Sequence, residues 1–323
     1  NKSNDSINCF FLLLIIHMII DYTINMIKTY TYRNLSWLDV ESPSQDDVAE
    51  LIKKHGLHPL VGEELLSPTK KPKVDIYKNY IFLALHIPIR IKTGGKYVVV
   101  EKEVDFIIGN NFIITSRNEV VEPLHSFSRV FETNSILDKN NLGDHAGIIF
   151  YYMMKKVYSN MSEDLENIKD ALNDVEEFIF IGHERKMVEV ISELSRELID
   201  FKQTSRLHKE VLESFASVPV DFFGKNFISF IEDLKTEYSE VHDLVMSNRE
   251  LLNDLRETND SLLSTKQNEN LKLFSILAFV TFPLNLLISL FLIPSEHTPI
   301  IGNAYDWEII VGIVIVAALG MFY

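Results

Sequence analysis

Cysteine is almost missing from this 323-residue chain: Cys9 is the only one. A lone thiol excludes an internal disulfide framework and a zinc site built on cysteine. A cysteine nucleophile finds no support either, because Cys9 sits in a greasy N-terminal stretch without an organised partner. Basic residues are scarce, 31 Lys and Arg against 46 Asp and Glu, for a net charge of −15. That balance argues against nucleic acid as a partner and suits cations. Catalytic patterns are missing too: there is no G-x-S-x-G, no H-E-x-x-H and no P-loop. Gly94-Gly95 lacks the following helix and the Lys-Ser/Thr pair of a phosphate loop. The chain therefore reads as a protein that is not an enzyme.

Charge is also unevenly spread. All but one of the 31 basic and all but three of the 46 acidic groups precede Leu271. Leu271 to Ile293 is a 23-residue stretch whose only charge is Lys272. At 1.5 Å per residue it extends about 35 Å, enough to cross a bilayer core. Ile309 to Tyr323 is a second uncharged stretch of 15 residues. The chain stops inside it, and it reads as a truncated second span. Arg249, Arg256, Lys266 and Lys272 precede the first stretch, whereas Pro294 to Asp306 has no Lys or Arg. The positive-inside rule then places residues 26–270 in the cytoplasm and the short connection outside, in a multi-pass protein of the cell membrane. Ile7 to Ile20 is greasy but short for a span, and residues 1–25 read as an extension ahead of a start at Met26.

Residues 26–120 alternate between strand and helix signals. Met26–Arg33, Ser36–Val40, Tyr80–Ile91, Lys96–Ile108 and Phe112–Ser116 read as strands, and Thr93-Gly94-Gly95 as a hairpin turn. Ser44–Lys54 reads as a helix with Ser44 as N-cap and Asp47 three residues on. This is an α/β domain with a mixed sheet. His55 and His58 are three apart, but Gly56 and Pro59 break any shared helix, which favours capping or packing over metal binding. Residues 142–217 read as two helical lengths, followed by a break at Val218-Pro219. Beyond Gly224 a heptad seam runs through Phe227, Leu234, Val241, Asn248, Leu255 and Leu262, with Ile231, Tyr238, Val245, Leu252 and Asn259 as its second row. One helix carrying that seam into the first membrane stretch needs neighbours: the two preceding helices or copies of itself.

Four segments resemble the CorA-type divalent-cation channel family. His55-Gly56-Leu57-His58-Pro59-Leu60-Val61-Gly62-Glu63-Glu64-Leu65 is similar to its G-[IL]-H-P-L-x-x-E-D-[IV] segment. Lys71-Pro72-Lys73-Val74 with Tyr77 and Tyr80 is similar to its R-P-K-V-x-x-Y-x-x-Y continuation. Gln267-Asn268-Glu269-Asn270-Leu271-Lys272 resembles the N-E-x-M-K lead-in to the first span, and Phe282-Pro283-Leu284 the F-x-P-L-T in its middle. The resemblance runs over residues 26–323.

What it implies is an α/β cytosolic domain plus long stalk helices and a two-helix transmembrane hairpin, CorA-like, in a homopentamer. The organisation becomes an N-terminal extension at 1–25, the cytosolic α/β domain at 26–141 and the helical stalk at 142–270. A first transmembrane helix at 271–293, an extracytoplasmic loop at 294–308 and a second, truncated helix at 309–323 complete it. The implied activity is a pore passing divalent cations, Mg²⁺ foremost with Co²⁺ or another metal as options, down the electrochemical gradient. No cofactor is implied; Mg²⁺ is both the transported and the regulatory ion.

The family's Gly-Met-Asn signature is absent, and Leu292, Ile293 and Pro294 stand at its place, offering only backbone carbonyls. Candidate pore residues are these three together with Asn268, Asn285, Ser289 and, at the outer mouth, Glu296. Asn285 and Ser289 are four apart and share a helix face, where five copies would stack rings of oxygen dipoles. Hydrogen bonding between helices is the competing role for them. The resemblance also assigns Glu64 and Asp233 as a regulatory, inter-subunit cation pair. Without Gly-Met-Asn two alternatives stay open: a non-conducting sensor or regulatory membrane subunit, and a zinc transporter, the latter without a His/Cys pore cluster to support it.

Overall fold

The computed structural model describes residues 27–132, 145–217, 220–224, 227–291, 302 and 304–322. The N-terminal extension, the Val218-Pro219 break and the candidates Leu292, Ile293, Pro294 and Glu296 lie outside the described residues. The chain divides into two compact units, Asn1–Glu177 with Glu189–Asp254, and Phe178–Val188 with Leu255–Tyr323.

In the first unit, six strands form one sheet: β1 (Ile27–Tyr32), β2 (Leu35–Glu41), β3 (Lys73–Ile76), β4 (Tyr80–Thr93), β5 (Lys96–Gly109) and β6 (Phe112–Arg117). Their order is β1-β2-β6-β5-β4-β3, and β2 and β6 run parallel while the other neighbours are antiparallel. The expected mixed sheet is therefore present. Gly94 and Gly95, at φ 60° and 85°, form the two-residue turn that pairs Thr93 with Lys96. Both central residues of that turn need positive φ, which glycine adopts without a Cβ clash.

The long apolar runs of β4 and β5 follow from burial on both faces. Phe82, Ala84, Ile107 and Ile114 face a core with Val48, Leu51, Val61 and Leu65. Those four come from α1 (Gln45–His55) and α2 (Pro59–Leu66). On the second face Trp37 meets Phe127 and Phe131 of α3 (Glu122–Glu132), each at 5.7 Å between ring centroids. There too Phe106 meets Phe150 at 5.3 Å.

Helix α1 starts as expected. Ser44 Oγ accepts from the Asp47 amide at 3.2 Å, and Asp47 Oδ2 accepts from the Ser44 amide at 2.9 Å, a reciprocal capping box. The helix stops at Gly56, whose φ of 65° is left-handed. His58 then caps α2, its Nδ1 accepting from the Leu60 amide at 3.3 Å, and His55 packs on Phe112 at 4.5 Å. The two histidines thus straddle a helix break and do capping and packing work.

The following helices are α4 (Ala146–Phe180), α5 (Glu184–Ser205), α6 (His208–Ala216), α7 (Val220–Phe223), α8 (Phe227–Phe291) and α9 (Asp306–Phe322). Three helices, rather than the expected two lengths, occupy residues 146–216. The extra break, at Arg206-Leu207, carries no Gly or Pro, and Leu207 keeps αR angles (φ −88°, ψ −5°) without a side-chain cap. A periodic pattern runs through such a break unmarked. Within the first unit the seam of α8 is buried from Phe227 to Leu252. Tyr238 meets Tyr158 of α4 at 6.1 Å, and Asn248 Nδ2 donates to the Leu165 carbonyl at 2.8 Å. The seam therefore finds its partner inside the chain, on a preceding helix.

In the second unit, Leu255 and Asn259 continue that buried line. Among the described residues α8 is the one helix long and apolar enough to cross a membrane, and its apolar stretch is almost wholly uncovered by the rest of the chain. Pro283 lies inside it. Proline removes one backbone hydrogen bond, which transmembrane helices tolerate through local adjustment and neighbouring groups. Helix α9 has 17 residues, with both of its acidic groups, Asp306 and Glu308, in its first turn.

Candidate cation pathway and regulatory carboxylates

Glu64 stands near the end of α2. Its Oε1 accepts from Lys73 Nζ at 2.5 Å, and Lys73 also meets Asp75 Oδ2 at 2.9 Å. Burial alone would lower the Lys73 pKa, but the hydrogen bonds to Glu64 and Asp75 outweigh it and raise it, so the ammonium stays charged. Glu64 Oε2 is buried without a hydrogen-bond partner. Close by, the Asp105 carboxyl is buried and its Oδ1 is also unpartnered. Burial first, then the negative charges of Glu103 and Glu64, hold its pKa well above the carboxylate range. Thr69 donates to Glu103 from both its amide, at 2.8 Å, and its hydroxyl. Glu64 and Asp75 thus share one lysine, and Asp105 feels the charges of Glu64, Glu103 and Lys73. Sequence reasoning missed Glu103 and Asp105, and the signal for them was the pair of acids at alternate positions of a buried strand.

Asp233 lies on α8. It accepts from Tyr151 Oη at 2.6 Å and from Lys155 Nζ at 3.1 Å. Lys155 also pairs with Glu237 at 2.8 Å. The Tyr151 hydrogen bond lowers the Asp233 pKa, burial opposes it, and Lys155 adds to the lowering. Tyr151 is pushed up to about 12, by burial first and then by its bond to Asp233. The carboxylate is thus ionised and already held by two donors. Neither Glu64 nor Asp233 bonds to the other within one chain. Among the described residues no group of three or more His, Cys, Asp or Glu is arranged to hold a metal ion.

The pore candidates occupy the second unit. From Leu271 to Ser289 only Val280 is buried, so the chain's own helices leave this stretch of α8 uncovered. Its hydroxyls bond back to the helix: Ser275 donates to the Leu271 carbonyl at 2.8 Å, Thr281 to Leu277 at 2.8 Å and Ser289 to Asn285 at 2.7 Å. Such back-bonding uses the hydroxyl hydrogen and leaves oxygen lone pairs free. Asn285 and Ser289 are exposed, and Thr281, four residues before Asn285, joins them on one face. Asn268 does not: at 17 residues from Asn285 it lies about 100° round the helix. Gln267, 18 residues away, falls in line with Asn285 at about five whole turns.

A family described as CorA-like Mg²⁺ transporter protein matches residues 32–323. The chain belongs to that family. It is 22% identical over 290 residues to the cobalt/magnesium transport protein CorA of Thermotoga maritima, covering 88% of this chain and 80% of that one. It is 18% identical to the CorA protein of Methanocaldococcus jannaschii, covering 94% of each. The complete structure of the CorA magnesium transporter from Methanocaldococcus jannaschii superposes with a TM-score of 0.76 at 17% identity, over 91% of both chains. The full-length CmaX structure gives 0.69 at 14%, over 89% of this chain and 87% of that one. At these identities the superpositions establish a CorA-like fold. No Gly-Met-Asn triplet occurs in this member's sequence.

Proposed function

We propose that five copies of this chain form a membrane channel that passes divalent cations, Mg²⁺ foremost, down the electrochemical gradient. Residues 26–270 face the cytoplasm. The observation that carries this reading is the strip Thr281, Asn285 and Ser289 on a mostly apolar, uncovered stretch of a helix of membrane-crossing length. Polar side chains in a span, the Asn285 amide above all, turn toward a bundle interior or a water-filled path. Self-association of α8 around a shared axis supplies that path. Family membership and the cobalt/magnesium transport names of the relatives point to the same cargo.

In place of Gly-Met-Asn, rings of Asn285 amides and Ser289 hydroxyls present oxygen dipoles to a hydrated ion. Mg²⁺ holds its water tightly, so contact through that shell is the suitable mode. A divalent ion gains about 4.6 kcal/mol per 100 mV of inside-negative potential, so no ATP site is required.

Regulation follows from Glu64 and Asp233 of neighbouring copies. A cytosolic divalent ion bridging them stabilises the closed arrangement alone and so shifts the population toward it. The lysines on these carboxylates, Lys73 and Lys155, act as counter-ions that such an ion displaces.

The test is Mg²⁺ uptake into liposomes holding the purified full chain. Asn285→Leu is expected to cut flux about tenfold, the equivalent of about 1.4 kcal/mol in barrier. Unchanged flux and selectivity in that variant would remove the filter from Asn285. The missing Gly-Met-Asn favours one other reading, a non-conducting sensor or regulatory subunit, for which the parent chain itself conducts nothing.

A further inference from the structure

The turn between α4 and α5 carries features that ion conduction does not use. It belongs to the same compact unit as the apolar part of α8. Gly182, at φ 97°, reverses the chain, and the His183 amide donates to the Phe178 carbonyl at 3.0 Å. The turn thereby pushes out large apolar side chains: Phe180 is 67% exposed, Ile181 60% and Phe178 42%. Immediately after them come Arg185 and Lys186, both exposed and without an ion-pair partner among the described residues. Lys266 of α8 is close, pairing with the buried Glu184 at 2.6 Å. A cavity of about 780 Å³ opens here, its lining including Glu184, Arg185, Lys186 and Lys266 together with Leu271 and Phe274. The last two are the first turns of the apolar stretch.

Contiguous exposed apolar groups rimmed by charge mark an interaction surface. Two observations choose its occupant. The cavity lining carries three cations, Arg185, Lys186 and Lys266, against the single carboxylate of Glu184, in a chain of net charge −15, which calls for an anionic partner. The cavity is continuous with the stretch of α8 that enters lipid, so the nearest anionic, half-apolar material is the bilayer itself. We propose that this turn docks on the cytoplasmic leaflet, with Phe180 and Ile181 in the interfacial region and an anionic phospholipid headgroup held by Arg185, Lys186 and Lys266. Basic residues near an anionic leaflet contribute favourably and apolar side chains add burial. The inference rests on α8 spanning the membrane.

The test uses the full chain with Cys9→Ser and a spin label at Ile181→Cys, reconstituted in phosphatidylcholine bilayers with or without phosphatidylglycerol. A second label, at Phe279→Cys, reports the span. The label at 181 is expected to be open to oxygen and shielded from an aqueous nickel complex when phosphatidylglycerol is present. Arg185→Glu with Lys186→Glu should return it to water while the label at 279 stays shielded. A label at 181 that remains aqueous beside a shielded 279 overturns the docking and leaves the span standing. Shielding at 181 that ignores both lipid charge and the charge reversal overturns the headgroup site. If 279 is aqueous as well, the membrane reading fails and the docking with it.

Discussion

Single residues in this chain show how burial sets chemistry. The His208 ring is fully buried, with Nε2 2.7 Å from the His86 carbonyl and Nδ1 3.3 Å from Tyr158 Oη. Burial pushes its pKa down from 6.5 to about 4. The unfolded chain therefore takes up the proton first. Stability contributed by neutral His208 is present above about pH 6.5 and is lost as pH falls toward 4, by about 3 kcal/mol in all. Asp164 works in the opposite direction. Burial, set against Arg90, pushes it up from 3.8 to about 6, so the fold gains stability as pH falls through that window. The two nearly overlap and mask each other in the parent protein. His208→Gln is expected to unmask Asp164: its stability relative to the parent should rise as pH falls. Denaturant melts of the detergent-solubilised chain at neutral and acidic pH check this, and a pH-independent difference would contradict it.

At the scale of elements, much of the fold is legible in sequence, and the reasons differ from place to place. The capping box at Ser44, the Gly94-Gly95 hairpin and the α8 seam are local patterns, readable because each involves neighbours a few residues apart. The parallel pairing of β2 with β6 is not, because its determinants lie 78 residues apart. Arg117 donates to Asp39 Oδ2 at 2.9 Å, Thr115 to Asp39 Oδ1 at 2.8 Å and Trp37 to Thr115 at 2.9 Å, all buried. Nothing in sequence spacing pairs that aspartate with that arginine. Helix α2 was hidden by its brevity, and the break before His208 by its lack of Gly or Pro. Of the candidate site, the strip Asn285–Ser289 was readable from helical spacing, whereas the lysine partners of Glu64 and Asp233 required the fold. Arg117→Met should leave Asp39 buried without its cation and destabilise the sheet by about 3–5 kcal/mol. A thermal melt tests it, and a loss below about 1 kcal/mol, the surface-pair range, would show that the pair does not hold β2 to β6.

The whole molecule is a divided object: an acidic, water-facing α/β sheet with its helices, and a helix that leaves that environment for lipid. Coupling between these parts is the proposed regulation, and its chemistry is competitive. Lysines already sit on both carboxylates proposed to regulate, so a bridging ion would compete with them. Lys73→Met and Lys155→Met are each expected to lower the Mg²⁺ concentration that protects the full chain from protease by about tenfold, roughly 1.4 kcal/mol in affinity. Glu64→Gln or Asp233→Asn should abolish that protection. Protection unchanged in all four variants would separate these residues from regulation.

The most direct measurement of the central claim is potential-driven Mg²⁺ uptake by liposomes holding the purified parent chain. The account predicts uptake that grows with an inside-negative potential and falls sharply on Asn285→Leu. A parent chain that inserts in the bilayer, assembles with its copies and still admits no divalent cation would contradict it.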